Sequence, residues 1–114
     1  MILTDRIYEI DLTQKQVMGE EYTEAMAREH LAGFGFNIKT LFQRLTRAFN
    51  PLDPENVLII SRGLLTGTAA PASSRIHLSA LSPLSGLIAS SSVGGFFGAK
   101  LKTLGIMSLI ITGK

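Results

Sequence analysis

The sequence predicts an α+β fold: an N-terminal β-hairpin, an amphipathic helix, then a mostly antiparallel β-sheet with a short helix. Three observations lead there. Polar and apolar residues alternate in "RIYEIDL" and "RIHLSAL", as half-buried strands require. Ile38, Leu41, Phe42, Leu45 and Phe49 recur at the spacing of one helical face. The apolar runs "VLII" and "GIMSLIITG" are set apart by segments rich in Gly, Ser and Pro, which is the punctuation of strands and turns. With 114 residues, the chain makes one domain, 1–114, or part of one. A domain of that size buries roughly two-thirds of its unfolded surface.

Taken in order, Tyr8, Ile10 and Leu12 alternate against Ile7, Glu9 and Asp11, and "TQK" leads to a second extended run around Val17, so residues 5–21 read as a hairpin. Thr23 can cap a short helix over 24–32 that stops at Gly33. The apolar stripe then gives a second helix, opened by Asn37 and ended before Pro51. "NPLDPEN" is a turn-rich connector, and "VLII", "RIHLSAL" and "GIMSLIITG" are strands. In the middle one, Ile76, Leu78 and Ala80 face away from Arg75, His77 and Ser79. "RGLLTGTAAPASS" and "LSPLSGLIASSSVGG" read as loops, whose shared Leu, hydroxyl and Gly pattern suits two turns. The last strand is expected at an apolar sheet edge, which invites pairing with another chain and predicts a homo-oligomer or a larger partner.

Composition narrows the chemistry. A hydrophobic share of 46% with four Pro argues against disorder, and the absence of Cys removes any disulfide, thiolate metal site or iron-sulfur ligand of the chain's own. "ILTDRIYEIDL" lacks the pattern of a signal peptide, and no apolar run approaches a membrane span. The expectation is a cytoplasmic protein with neither membrane nor nucleic acid as partner. The net charge of +2 is unevenly placed: six basic residues face all nine acids before residue 61, whereas Arg62, Arg75, Lys100, Lys102 and Lys114 stand unopposed after it. Such asymmetry fits either an anionic partner or a solvated basic face.

Elimination leaves one chemical reading. His30 and His77 are far apart, no carboxylate follows residue 55, and Ser90, Ser91 and Ser92 lack a nucleophile elbow. "SSSVGGFFGAKLK", residues 90–102, presents a nearly bare backbone around Gly94 and Gly95 ahead of a short helix. Unobstructed amides at a helix start suit phosphate, although packing of a helix on a sheet would use the same glycines. Arg75, after the equally bare "TAAPASS", could bring a guanidinium to the same anion.

The ordered series "NPLDPENVLIISRGLLTGTAAPASSR" and "LSPLSGLIASSSVGGFFGAKLKTLGIMSLIITGK", preceded by "DLTQKQV" and "LAGFGFNIKTLF", resembles the N-terminal domain of the tungsten-containing aldehyde:ferredoxin oxidoreductase family almost end to end. The resemblance implies a β-rich saddle under a tungsten bis-pyranopterin cofactor with magnesium. Arg75 then matches the arginine between the pterin and a 4Fe-4S cluster. Ser92 stands where an asparagine's main chain helps place the magnesium, and Gly94 and Gly95 match the glycine pair against the cofactor. The cluster's cysteines and the acid/base residues belong to later domains or a larger catalytic subunit. The complete enzyme would oxidise aldehydes to carboxylic acids and reduce ferredoxin, so the isolated chain is expected to be inactive. Ser92 for Asn, Val93 for Ser, Leu64 for Pro and Phe36 in place of a Gly-Arg-Gly run depart from the family pattern. Because the chain is about half the length of the family's complete N-terminal domain, a part of a longer chain, a split small subunit and a paralogue that no longer binds cofactor all stay open. A non-catalytic assembly or anion-binding module with the same fold is the alternative.

Overall fold

The hairpin forms as its alternation dictates. Strands β1 (Arg6–Asp11) and β2 (Gln16–Glu21) pair antiparallel, and Asp11 Oδ1 closes the turn by accepting from the amides of Thr13 and Gln14 at 3.0 and 3.1 Å. Of the two alternating faces of β1, the one that goes inward carries Ile7. Ile7 is buried while Tyr8 and Ile10 stay half-buried, because the helices cover the side of Ile7. This computed structural model describes residues 5–44 and 50–114.

Helix α1 (Glu24–His30) starts as read: Thr23 Oγ1 accepts from the Met26 amide at 3.2 Å. It ends earlier, at Leu31, which takes φ +56°, and Gly33 instead opens α2 (Phe34–Arg44). Asn37 is therefore not a cap but a residue inside α2, fully buried. The buried face runs through Phe36, Asn37, Thr40 and Leu41, leaving Phe42 79% exposed. Leu45 and Phe49 of the expected stripe lie outside the described residues.

The rotation of α2 has a polar cause. Asn37 Nδ2 donates to His77 O at 3.2 Å and Ser79 Oγ at 3.1 Å, and Ser61 Oγ donates to Asn37 Oδ1 at 2.5 Å. Ser61 in turn contacts Ser108 Oγ at 2.7 Å, and Ser79 contacts Ser90 Oγ at 3.0 Å. One amide thus satisfies serines on neighbouring strands. Leaving those groups buried without partners would cost about 1–3 kcal/mol each.

The strands β3 (Val57–Arg62), β4 (Ile76–Leu81), β5 (Ile88–Val93) and β6 (Ile106–Thr112) join the hairpin in a single sheet of order β2-β1-β6-β3-β4-β5. Every pairing is antiparallel except β1 with β6. Two expectations fail here. The serine-rich stretch read as loop is β5, paired residue by residue along β4 from Ile76–Val93 to Leu81–Ile88. Tertiary pairing overrides the weak strand preference of its serines. The terminal strand β6 is not an edge: it lies between β1 and β3, so it gives no reason for a second chain to pair there.

Between the sheet and α1/α2 lies the core, built on Ile7, Tyr22, Leu41, Val57, Ile59 and Ile110. Arg62, counted above as unopposed, is fully buried; its Nη2 donates to Asp5 and its Nε to Ile106 O at 3.0 Å. On the opposite face, α3 (Phe97–Thr103) covers one end. A Cβ at Gly98 would stand 2.6 Å from Thr66 Cγ2 and 2.9 Å from Ile76 Cγ2, so this glycine is what lets α3 sit down.

Candidate anion-facing loop cluster

Arg75 leads directly into β4, and Gly94 directly follows β5. Since Ile76 pairs with Val93 and His77 with Ser92, the same register carries Arg75 opposite Gly94. The Arg75 side chain is exposed, with Nη1 3.4 Å from Ser92 O and 3.5 Å from Ser92 Oγ. Both are long contacts. Among the described residues no carboxylate pairs with Arg75. Arg75, Ser92, Gly94 and Gly95 are therefore neighbours at one corner of the sheet.

The two glycines there differ from Gly98. A Cβ built at Gly94 or Gly95 meets nothing within 4 Å, and Gly95 has φ +111°, a conformation glycine adopts at low cost. Among the described residues, no side chain other than those of chain neighbours lies within 4 Å of that space.

Thr66, which sequence reading did not single out, anchors this corner. Buried in the β3–β4 connection, its hydroxyl accepts from the Gly63 amide and donates to Arg75 O, both at 3.0 Å. Its methyl group supports Gly98. The only signal was the Gly and hydroxyl pattern of "LLTGTA", which any turn shares. Ser73 ties down the rest of the loop through Leu65 O at 3.0 Å and Ala70 O at 2.7 Å.

Beside Arg75 opens a depression of about 530 Å³, lined by Leu31, Leu64, Ala72, Ser73 and His77. His77 packs here rather than standing free, its ring tilted 60° against Phe34 at 6.0 Å. The Tyr22 hydroxyl donates to Leu31 O and so fixes the wall contributed by the α1–α2 connection. Burial pushes the Tyr22 phenol above its ordinary value of 10.0; Arg62 opposes that shift and Asp5 adds to it. No three His, Asp or Glu side chains gather into a metal site among the described residues.

Comparison with known proteins gives this corner a context. Residues 7–114 match the family model described as aldehyde ferredoxin oxidoreductase, N-terminal domain. Tungsten-containing aldehyde ferredoxin oxidoreductases of Pyrococcus furiosus and Pyrococcus abyssi are 38% and 39% identical over 109 residues, covering 96% of this chain and 18% of each relative. The WOR-like subunit of an aliphatic sulfonate oxidoreductase from Pyrococcus furiosus is 30% identical over 112 residues. The solved active site complex BamBC of benzoyl coenzyme A reductase, in complex with 1,5-dienoyl-CoA, superposes with a TM-score of 0.92 and 36% identity over 97% of this chain and 17% of the other. The chain spans about a fifth of its relatives' length, and it belongs to the aldehyde ferredoxin oxidoreductase family, in the region of that family's N-terminal domain.

Proposed function

We propose that this chain is the cofactor-facing N-terminal part of a tungsten-containing oxidoreductase, and that its Arg75–Gly95 corner holds the anionic end of a bis-pyranopterin. One observation carries the reading: a guanidinium without a carboxylate partner stands across from two glycines whose side-chain space the chain leaves open. Bare amides and a cation are the donor set that a phosphate needs. Arg75 would supply a charged fork, Gly94 and Gly95 would permit close approach, and the Ser92 carbonyl, 3.4 Å from Arg75 Nη1, would help place magnesium. The bound metal and pterin would supply the redox chemistry, passing electrons from an aldehyde to a 4Fe-4S cluster held by other domains and on to ferredoxin. This chain's work is to bind and orient. By itself it should not oxidise aldehydes.

A magnesium pyrophosphate titration tests the site without the rest of the enzyme. Amide resonances of residues 92–96 should move, and Arg75→Ala should weaken the response about tenfold, the scale of one charged hydrogen bond. Shifts confined to Lys100 and Lys102, or an unchanged response in the variant, would show a diffuse basic surface instead.

A further inference from the structure

Strands β3 and β4 pair from Ile59–Ser79 to Arg62–Ile76 and then stop. In the same antiparallel register the next pair would be Gly63 with Arg75. A ladder would join the Gly63 amide to the Arg75 carbonyl directly, at about 2.9 Å. Instead Thr66 Oγ1 stands between the two groups, accepting from the Gly63 amide and donating to the Arg75 carbonyl, both at 3.0 Å. The Thr66 amide also donates to the Gly63 carbonyl at 3.1 Å, so both polar backbone groups of Gly63 are met by Thr66 rather than by β4. A hydroxyl can take this double role because it is donor and acceptor at one atom.

The wedge is fixed from both sides. Thr66 is 2% exposed, and a Cβ at Gly63 would stand 3.0 Å from its hydroxyl oxygen, so the glycine leaves the room that the oxygen occupies. Its methyl carbon would lie 2.6 Å from a Cβ at Gly98, which places it against α3. Gly67, with φ +79°, comes equally near that helix: a Cβ there would be 3.0 Å from Lys102 Cβ and 3.4 Å from Ala99 Cα. The β3–β4 connection is thereby clamped to α3 on one side. On the other, the parted strand ends open into the depression of about 530 Å³, whose lining includes Gly63, Thr66 and Arg75.

We infer that Thr66 is the positioning residue of this corner. Its hydroxyl replaces one rung between β3 and β4, holds the strand ends apart, and so fixes the Arg75 backbone from which the guanidinium reaches toward Ser92. The methyl has the separate task of seating α3. An apolar side chain of the same shape would keep that packing but leave the Gly63 amide and the Arg75 carbonyl without their partner. What Arg75 is held out to meet rests on the cofactor reading above; that Thr66 holds it does not.

Two substitutions separate the tasks. Thr66→Val keeps the methyl and removes the hydroxyl, and Thr66→Ser does the reverse. Without any ligand, nuclear Overhauser contacts from Arg75 to Ser92 and Gly94 should weaken several-fold in Thr66→Val and match the parent in Thr66→Ser. For want of the methyl, Thr66→Ser should nonetheless melt at a lower temperature. Magnesium pyrophosphate then reads the consequence at the corner: its Kd should rise about threefold in Thr66→Val, the scale of one neutral hydrogen bond and less than for Arg75→Ala, and stay unchanged in Thr66→Ser. A threonine that served stability alone would make affinity follow the melting temperature in both variants, and that result overturns the inference. Unchanged Arg75 contacts in Thr66→Val overturn it as well. If the parent chain ignores magnesium pyrophosphate, the cofactor reading falls, and the Overhauser contacts alone decide for or against Thr66.

Discussion

At Gly98 an added methyl would strike Thr66 and Ile76, whereas at Gly94, in the same glycine-rich stretch, it would meet nothing within 4 Å among the described residues beyond its chain neighbours. The two glycines mark two regions with different needs. Around Gly98, and across the face under α2, every requirement is met from within: α3 is seated, Asn37 and the strand serines satisfy one another, and Arg62 is paired with Asp5. Around Gly94 the backbone is bare, and the exposed Arg75 guanidinium makes only two long contacts, both to Ser92. Small residues forced by packing can thus be told from small residues whose space is left for something else.

Substitutions in the first region should register as lost stability. Arg62→Met strands Asp5, 2% exposed, without its counter-charge, and about 3–5 kcal/mol should be lost, visible as a large drop in thermal midpoint. Gly98→Ala drives a methyl into the Thr66 and Ile76 contacts and should cost about 1–3 kcal/mol by urea unfolding. A smaller effect comes from Tyr22. Its phenol titrates higher folded than unfolded, so the unfolded chain releases its proton first. Stability should be unaffected below pH 10, fall as pH rises above that value, and fall less steeply in Tyr22→Phe. Gly94→Ala should change stability by no more than about 0.5 kcal/mol, the range of an uninvolved surface position. A large loss there would erase the distinction between the two glycines.

Much of this was legible in the sequence, for identifiable reasons. The hairpin, β3, β4 and β6 carry strong local patterns, and Thr23 caps α1 as its chemistry allows. The α2 rotation was not legible, because Asn37 looks like a cap until Ser61 of β3 and Ser79 of β4 are brought beside it. Nor was β5, whose serines have little strand preference until β4 offers partners. The interior place of β6 depends on its parallel pairing with β1, a contact between opposite ends of the sequence. At the candidate site, Arg75 and the glycine pair stood out by contrast with their surroundings, while Thr66 was hidden in common turn chemistry and shows its role only through Gly63, Arg75 and Gly98.

The central claim is that the space beside Gly94 belongs to a cofactor. Tungsten and pterin content of the enzyme assembled with this chain, measured for the parent and for Gly94→Val, tests it most directly. Occupancy should fall about tenfold or more, as expected when a side chain blocks close approach of a phosphate to the backbone, while the melting curve of the isolated chain stays where it was. Full occupancy in Gly94→Val would contradict the claim and leave the bare loop without a role in cofactor binding.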